Sequence, residues 1–265
     1  MNRWASKPLK TSANDFLAAV RSEIPVSLIA TPRADLKCER ACRWQEAETN
    51  TDLADFDQVP LTDDEGLRIE GVFVRGTGRL ELREDMFMAA DAPLLSLLES
   101  ADQSRFRFLL VNSTVSGMVT ISDIQKLPVY SVLFSLVVAV EMLLMEWIRK
   151  KCRENQDEWL IHLSEKQQGI VEKHWQYALK ENLAIDRLSY AAFGQEIQAA
   201  KGLGLFAIHE DQHTKLKALE QLRHQVCHAI ELAPNLTEAL KIPANVRNAQ
   251  TVAVWLQERI EKQSA

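Results

Sequence analysis

The stretch LPVYSVLFSLVVAVEMLLMEWIRKK, beginning at Leu127, is almost unbroken apolar sequence over about the length of a bilayer span. Such a segment has two fates. It crosses a membrane, or it becomes a bundle helix that is apolar around most of its circumference. The acids decide between them. Glu141 would sit deep within a span and Glu146 near its end, and a carboxylate in hydrocarbon is costly. The reading is therefore a buried helix of a helical bundle, with no membrane partner. Glu141 must then face a partner or a site. Pairing with Arg223 across the bundle would satisfy it without any catalysis.

The rest of the chain divides around this helix. From Val129 onward the helical period dominates. The spacing predicts helices over 129–153, ending in the basic RKKCR, and over 157–181. Others are expected over 186–201, stopped by Gly202 and Gly204, over 212–232, stopped before Pro234, and over 246–262. The last carries Val252, Trp255, Leu256 and Ile260 on one stripe. Pro128 fits the first turn of the first helix. Before Val129 the pattern is short. PVSLIA (25–30), LRIEGVFVR (67–75), RFRFLLV (105–111) and GMVTI (117–121) read as strands. ANDFLAAVR (13–21), TDLADF (51–56) and PLLSLLESA (93–101) read as short helices. DDEG (63–66) and VRGTG (74–78) read as turns. The expected fold class is α+β: an α/β module over 15–128, then an all-α bundle over 129–262. The 265 residues are enough for two such domains.

Charge and cysteine usage narrow the function. A net charge of −6 argues against a general basic coat for nucleic acid, though not against a local basic site. Cys38, Cys42, Cys152 and Cys227 form no disulfide framework. The first two are four apart, one helical turn, and not a CxxC clip. MNRWASKPLK has no apolar signal core. A reduced, cytoplasmic setting is the expectation.

The first half also repeats itself. FDQVPLTDDEGLRIEGVFVR (56–75) and SRFRFLLVNSTVSGMVTISD (104–123) share one layout: an apolar strand, a polar turn with glycine, and a second strand beginning at a glycine. Each follows a short helix. FDQVPL at 56–61, GVFVR at 71–75, FLLV at 108–111 and above all GMVTISD at 117–123 resemble the cystathionine-β-synthase-type (CBS) domain pair over about residues 15–130. The resemblance implies an adenine nucleotide, AMP-, ADP- or ATP-like, as a regulatory ligand, with Gly117, Thr120 and Asp123 at its ribose and phosphate. A carboxylate suits ribose hydroxyls, while a threonine hydroxyl and helix N-terminal amides suit phosphate. The alternative is that GMVTISD is a strand leading into a capped helix. The first copy lacks the matching Thr and Asp, and Arg75 is its candidate phosphate contact.

HEDQHTKLKALEQLRHQVCH (209–228) holds four histidines in twenty positions. His209 and His213 frame HExxH, the spacing of a zinc hydrolase with Glu210 as base. Asp211 between the ligands and the glycines upstream favour a charged helix start instead. One ion cannot join His213 to His228 along a continuous helix, which separates them by about 22 Å. The second pair fits a different chemistry. Arg223, His224 and His228 form RxxxxH late in a helix, after the glycine-bearing AAKGLGLF (199–206). Over about 129–262 the chain resembles the HEPN superfamily of helical domains, many of them ribonucleases. That resemblance implies a metal-independent endoribonuclease that needs no cofactor for catalysis. It casts Arg223 as phosphate clamp, His228 as acid/base group and His224 as the group that orients or assists it. Histidine moves protons near neutral pH, and RNA supplies its own 2′-hydroxyl nucleophile. On an ideal helix, residues five apart diverge by about 140°. A two-fold dimer was therefore a route to completing the site. The expected partners are RNA, the nucleotide and a second copy of the chain. Stress or phage defence follows from the family resemblance alone. The competing reading is a non-enzymatic nucleotide sensor whose bundle only dimerises or docks a partner.

Overall fold

The computed structural model describes residues 24–183, 186–228 and 230–263. The helix expected at 13–21 lies outside the described residues. The fold is mixed α and β, with two four-stranded sheets followed by C-terminal helices. The chain separates into two compact units. One falls within Ser22–Val129 and Ala233–Pro243, and the other within Tyr130–Leu232 and Ala244–Ala265.

The sheet unit contains β1 (Thr31–Pro32), β2 (Glu39–Arg40), α1 (Glu46–Thr49), β3 (Gln58–Thr62), β4 (Ile69–Val74) and β5 (Gly78–Glu81). It continues through β6 (Phe87–Ala89), α2 (Leu94–Ser100), β7 (Phe106–Val111) and β8 (Thr114–Thr120). The sheet orders are β2-β3-β4-β5 and β6-β7-β8-β1. Each begins with a short strand parallel to the strand that follows it across a helical connection, and continues into an antiparallel hairpin. The two echo segments thus take one topology, and they agree down to register. Gly71 faces Leu61 and Gly117 faces Leu109, and in each sheet the ladder slips one step past that leucine.

The glycines have a packing cause. Beside Gly71 runs β5, and beside Gly117 runs β1. A Cβ on Gly117 would lie 2.6 Å from the Thr31 carbonyl oxygen; one on Gly71 would lie 3.0 Å from that of Leu80. Absence of a side chain lets the edge strand close in. Alternation along the strands then makes two cores. Val72 packs with Met86, Phe106, Phe108 and Met118. Phe73, pointing the other way, packs with Ala41, Ala47, Leu53, Val59 and Leu61.

Some expected elements differ. PVSLIA forms a single 3-10 turn, Val26–Leu28, and not a strand. Pro25 lacks an N–H, and the Ile29 N–H returns to Val26, so the run closes on itself. TDLADF shrinks to the turn Thr51–Leu53, because the Asn50 side chain takes the Asp52 N–H and starts a turn there.

In the helical unit the apolar run forms α3 (Leu127–Lys151), with Pro128 in its first turn. Its length and composition would allow it to cross a membrane, yet 56% of its most apolar window is buried within the protein. It packs as a core helix, with Leu133, Leu136, Val137, Val140 and Leu144 fully buried. The helix expected over 157–181 breaks. Glu158–His162 is a 3-10 turn, and α4 (Glu165–Lys180) starts afresh. The cause is a capping box. The Ser164 hydroxyl accepts from the Gln167 N–H at 3.4 Å, and the Gln167 side chain accepts from the Ser164 N–H at 2.9 Å. Few α4 residues are buried, so its start depends on this cap. Ser164→Ala is expected to cost about 1 kcal/mol, read from the thermal unfolding midpoint.

The helix expected over 186–201 begins only at Phe193 and forms α5 (Phe193–Gly202). Upstream, Asp186 accepts from the Ser189 N–H and from Arg149, which holds residues 186–190 in a turn. The helix expected over 212–232 is α6 (Glu210–Cys227). It ends early because the Ile230 N–H reaches back to the Gln225 carbonyl, while the Tyr130 hydroxyl takes the Ile230 carbonyl. After the short α7 (Leu236–Ala239), the last helix starts five residues sooner than expected, as α8 (Lys241–Lys262). Pro243 fits its first turn, where no N–H is needed.

Candidate functional site

In the sheet unit, Thr120 and Asp123 are brought together, but by each other. One Asp123 carboxylate oxygen accepts from the Thr120 N–H at 2.6 Å and from its hydroxyl at 3.2 Å. The other pairs with Lys126 at 2.7 Å. This arrangement caps the turn Ile121–Gln125. Gly117 lies elsewhere. It borders a cleft of about 760 Å³ at the hairpin end of β7 and β8, with Ser27, Asp91, Asn112, Ser113 and Ser116, whereas Thr120 and Asp123 do not line it. The three residues thus do not converge on one cleft. Arg75 is also occupied. Its guanidinium donates to the Leu53 carbonyl at 2.9 Å and to those of Glu48 and Phe56, so it serves to cap the two preceding turns.

The HEDQH residues have structural partners as well. His209 precedes α6, sits against Arg259 of α8, and meets the Trp255 ring edge-on at 5.6 Å. His213 lies 5.1 Å from the Phe206 ring and contacts Glu210. Among the described residues, no three His, Cys, Asp or Glu side chains converge as metal ligands.

The second histidine pair opens onto a cleft. About 560 Å³ in volume, it is lined by Gly194 of α5 and by Glu220, Arg223, His224, Gln225 and His228. Positions 223 and 228 nevertheless border the same cleft. His228 caps α6, and its N–H still donates to the His224 carbonyl at 3.2 Å, which sets it one helical turn beyond His224. The rings of His224 and His228 lie 4.6 Å apart. All three residues of the motif border one cleft within a single chain.

Arg223 is anchored from behind. Its Nε donates to the Glu141 carboxylate at 2.9 Å, the pairing expected from the acid in the middle of the apolar run. The Glu141 side chain is 12% exposed and that of Arg223 35%. Burial pushes the Glu141 carboxyl above its ordinary range, and Arg223 opposes that rise. A second acid stands close by. Glu196 of α5 is 1% exposed, and its Oε2 has no hydrogen-bond partner. Burial first, then the Glu141 charge, pushes the Glu196 carboxyl well above the usual range; Arg223 and Arg149 act against this. Sequence reading missed Glu196. A signal existed: it sits three residues after Phe193 and four before Ala200, both buried, on the apolar stripe of α5.

The cleft therefore combines a fixed guanidinium with two adjacent imidazoles, a set suited to holding a phosphate and moving protons beside it. The chain matches no protein-family model and no curated protein.

Proposed function

We propose that this protein is a metal-independent endoribonuclease, acting through the cleft of Arg223, His224 and His228. The observation that carries the reading is the meeting of these three side chains on one cleft, with Arg223 held by Glu141. His228 takes the proton from an RNA 2′-hydroxyl. The freed 2′-oxygen attacks the adjacent phosphorus, the bond to the 5′-oxygen breaks, and that oxygen takes up the proton His228 received, so that a 2′,3′-cyclic phosphate and a 5′-hydroxyl result. Arg223 clamps the phosphate oxygens, and the neighbouring His224 assists the proton transfer. The helical unit is read as HEPN-like and the sheet unit as a CBS-like pair, for which the duplicated topology is the support. An adenine nucleotide on the sheet unit is the proposed regulator, in a cytoplasmic homodimer that cuts RNA under stress or phage attack.

The test is cleavage of labelled total RNA by wild-type and His228→Ala protein, with EDTA and with a panel of adenine nucleotides. Cleavage that survives EDTA, vanishes in the variant and yields cyclic phosphate ends is the expected result. Cleavage retained by the variant sinks the assignment. A second reading has its own support: the Arg223–Glu141 pair suits a scaffold helix contact that needs no catalysis. It makes the protein a non-enzymatic sensor, for which nucleotide raises the melting temperature and no RNA is cut under any condition.

A further inference from the structure

Glu141 and Arg223 pair at 2.9 Å behind the cleft, and the charges of both bear on a second buried carboxyl group, Glu196, whose Oε2 has no hydrogen-bond partner. Glu141 comes from α3, Glu196 from α5 and Arg223 from α6. The other charges bearing on Glu196 come from Arg149, but Arg149 already donates to Asp186 at 2.8 Å. Glu220 at the cleft wall is paired with Lys217 at 2.9 Å. Two ionised carboxylates would thus face one cation in a place with little water. Such a group keeps one proton. Glu196, fully buried with an unpartnered oxygen, is where the proton resides, and Glu141 balances Arg223.

That balance has a consequence for any anion. A phosphodiester reaching Arg223 makes two negative charges against one positive charge again, unless a second proton arrives. We propose that Glu141 and Glu196 are positioning residues that act as one proton-sharing pair, so that anion binding at Arg223 is coupled to uptake of a proton behind it. The inference rests on the reading of this cleft as a phosphodiester site, and not on cleavage. Neither acid touches the ligand. Their effect is to release the guanidinium to the anion by neutralising its internal partner.

Proton sharing makes the two acids interchangeable. With Glu141 replaced, Glu196 becomes the counter-charge of Arg223 and takes up the proton in its turn. Single Glu141→Gln and Glu196→Gln variants therefore each keep the coupling, and only the double variant loses it. A Glu141 acting alone would lose it in the single variant.

The probe is dimethyl phosphate, a phosphodiester monoanion with no titration near neutral pH. The histidines also take protons, so the background is His224→Gln/His228→Gln. Calorimetric titration in buffers of different ionisation heat counts the protons taken up directly. About one proton per anion is expected, with affinity rising about tenfold for each pH unit lowered above the pair's titration. Adding Glu141→Gln or Glu196→Gln leaves that uptake in place. Adding both brings it to zero and makes the affinity independent of pH. Loss of uptake in the Glu141→Gln variant overturns the proposal, as does uptake in the double variant. Should the double variant not fold, zero uptake in the background protein itself overturns it. Binding without proton uptake refutes the coupling alone, whereas no binding at any pH refutes the phosphodiester reading with it.

Discussion

Gly117→Ala is expected to lower stability by about 2–3 kcal/mol, the cost of forcing a methyl group into filled space. The added Cβ would lie 2.6 Å from the Thr31 carbonyl oxygen and 3.4 Å from the Pro32 Cα. Both are backbone atoms, so no side chain can rotate away. Either β8 bends or β1 leaves. The β1–β8 pairing is only two residues long, which makes loss of β1 the cheaper response. That loss uncovers the edge of β8 and loosens the turn in which Val26 and Ile29 are fully buried. Gly71→Ala is the internal control. Its Cβ would stand 3.0 Å from the Leu80 oxygen, a distance that a small shift of β5 relieves, so its cost is expected near or below about 1 kcal/mol. Urea unfolding of the two variants compares them directly. Equal and small losses would mean that the edge strand does not lie as close as described.

Arg223→Ala is expected to cost about 3 kcal/mol, at the lower end for breaking a buried ion pair because the arginine is partly exposed. The loss is expected to depend on pH in a definite direction. Glu141 has an ordinary carboxyl value of 4.5, burial raises it in the folded state, and Arg223 holds the rise in check. Without Arg223 the folded-state value climbs further. Between 4.5 and that raised value the folded protein binds more protons than the unfolded chain, so stability falls as pH rises through this window. The destabilisation should therefore be largest at neutral and higher pH and shrink on acidification below 4.5, where both states carry the proton. Urea midpoints at acidic and mildly alkaline pH measure it. A loss that does not change with pH would mean that Glu141 is not the group left uncompensated. Glu196 adds to the same slope in the wild type, since its carboxyl is also raised by burial.

These two sites differ in how far they could be read beforehand. The Glu141–Arg223 pair was legible because an acid in the middle of a long apolar helix demands a cation. Its neighbour Glu196 follows Gln195 in a helix of mixed polarity, where a polar residue raises no alarm unless the stripe is traced. The RxxxxH residues were named from a family resemblance, and an ideal helix turns Arg223 and His228 apart. They border one cleft because α5 packs beside α6 and closes it with Gly194, which the sequence of α6 alone does not contain. HEDQH shows the converse. Its spacing is that of a metal site, yet His209 is held by Arg259, 50 residues away.

What the sequence determined by itself is local. Helical period marked the C-terminal helices, and short apolar runs around Gly71 and Gly117 marked the repeated strands, because side chains one turn or one pleat apart share a face whatever lies beyond. Glu141, in the middle of the apolar run, also fixed the character of α3. Tertiary structure decided the rest: which strand lies against Gly117, how Arg149 holds Asp186, and which groups stand behind Arg223. Those outcomes rest on contacts between distant segments, whose free energy appears only when the segments are packed together. No window of the sequence contains both halves of such a contact.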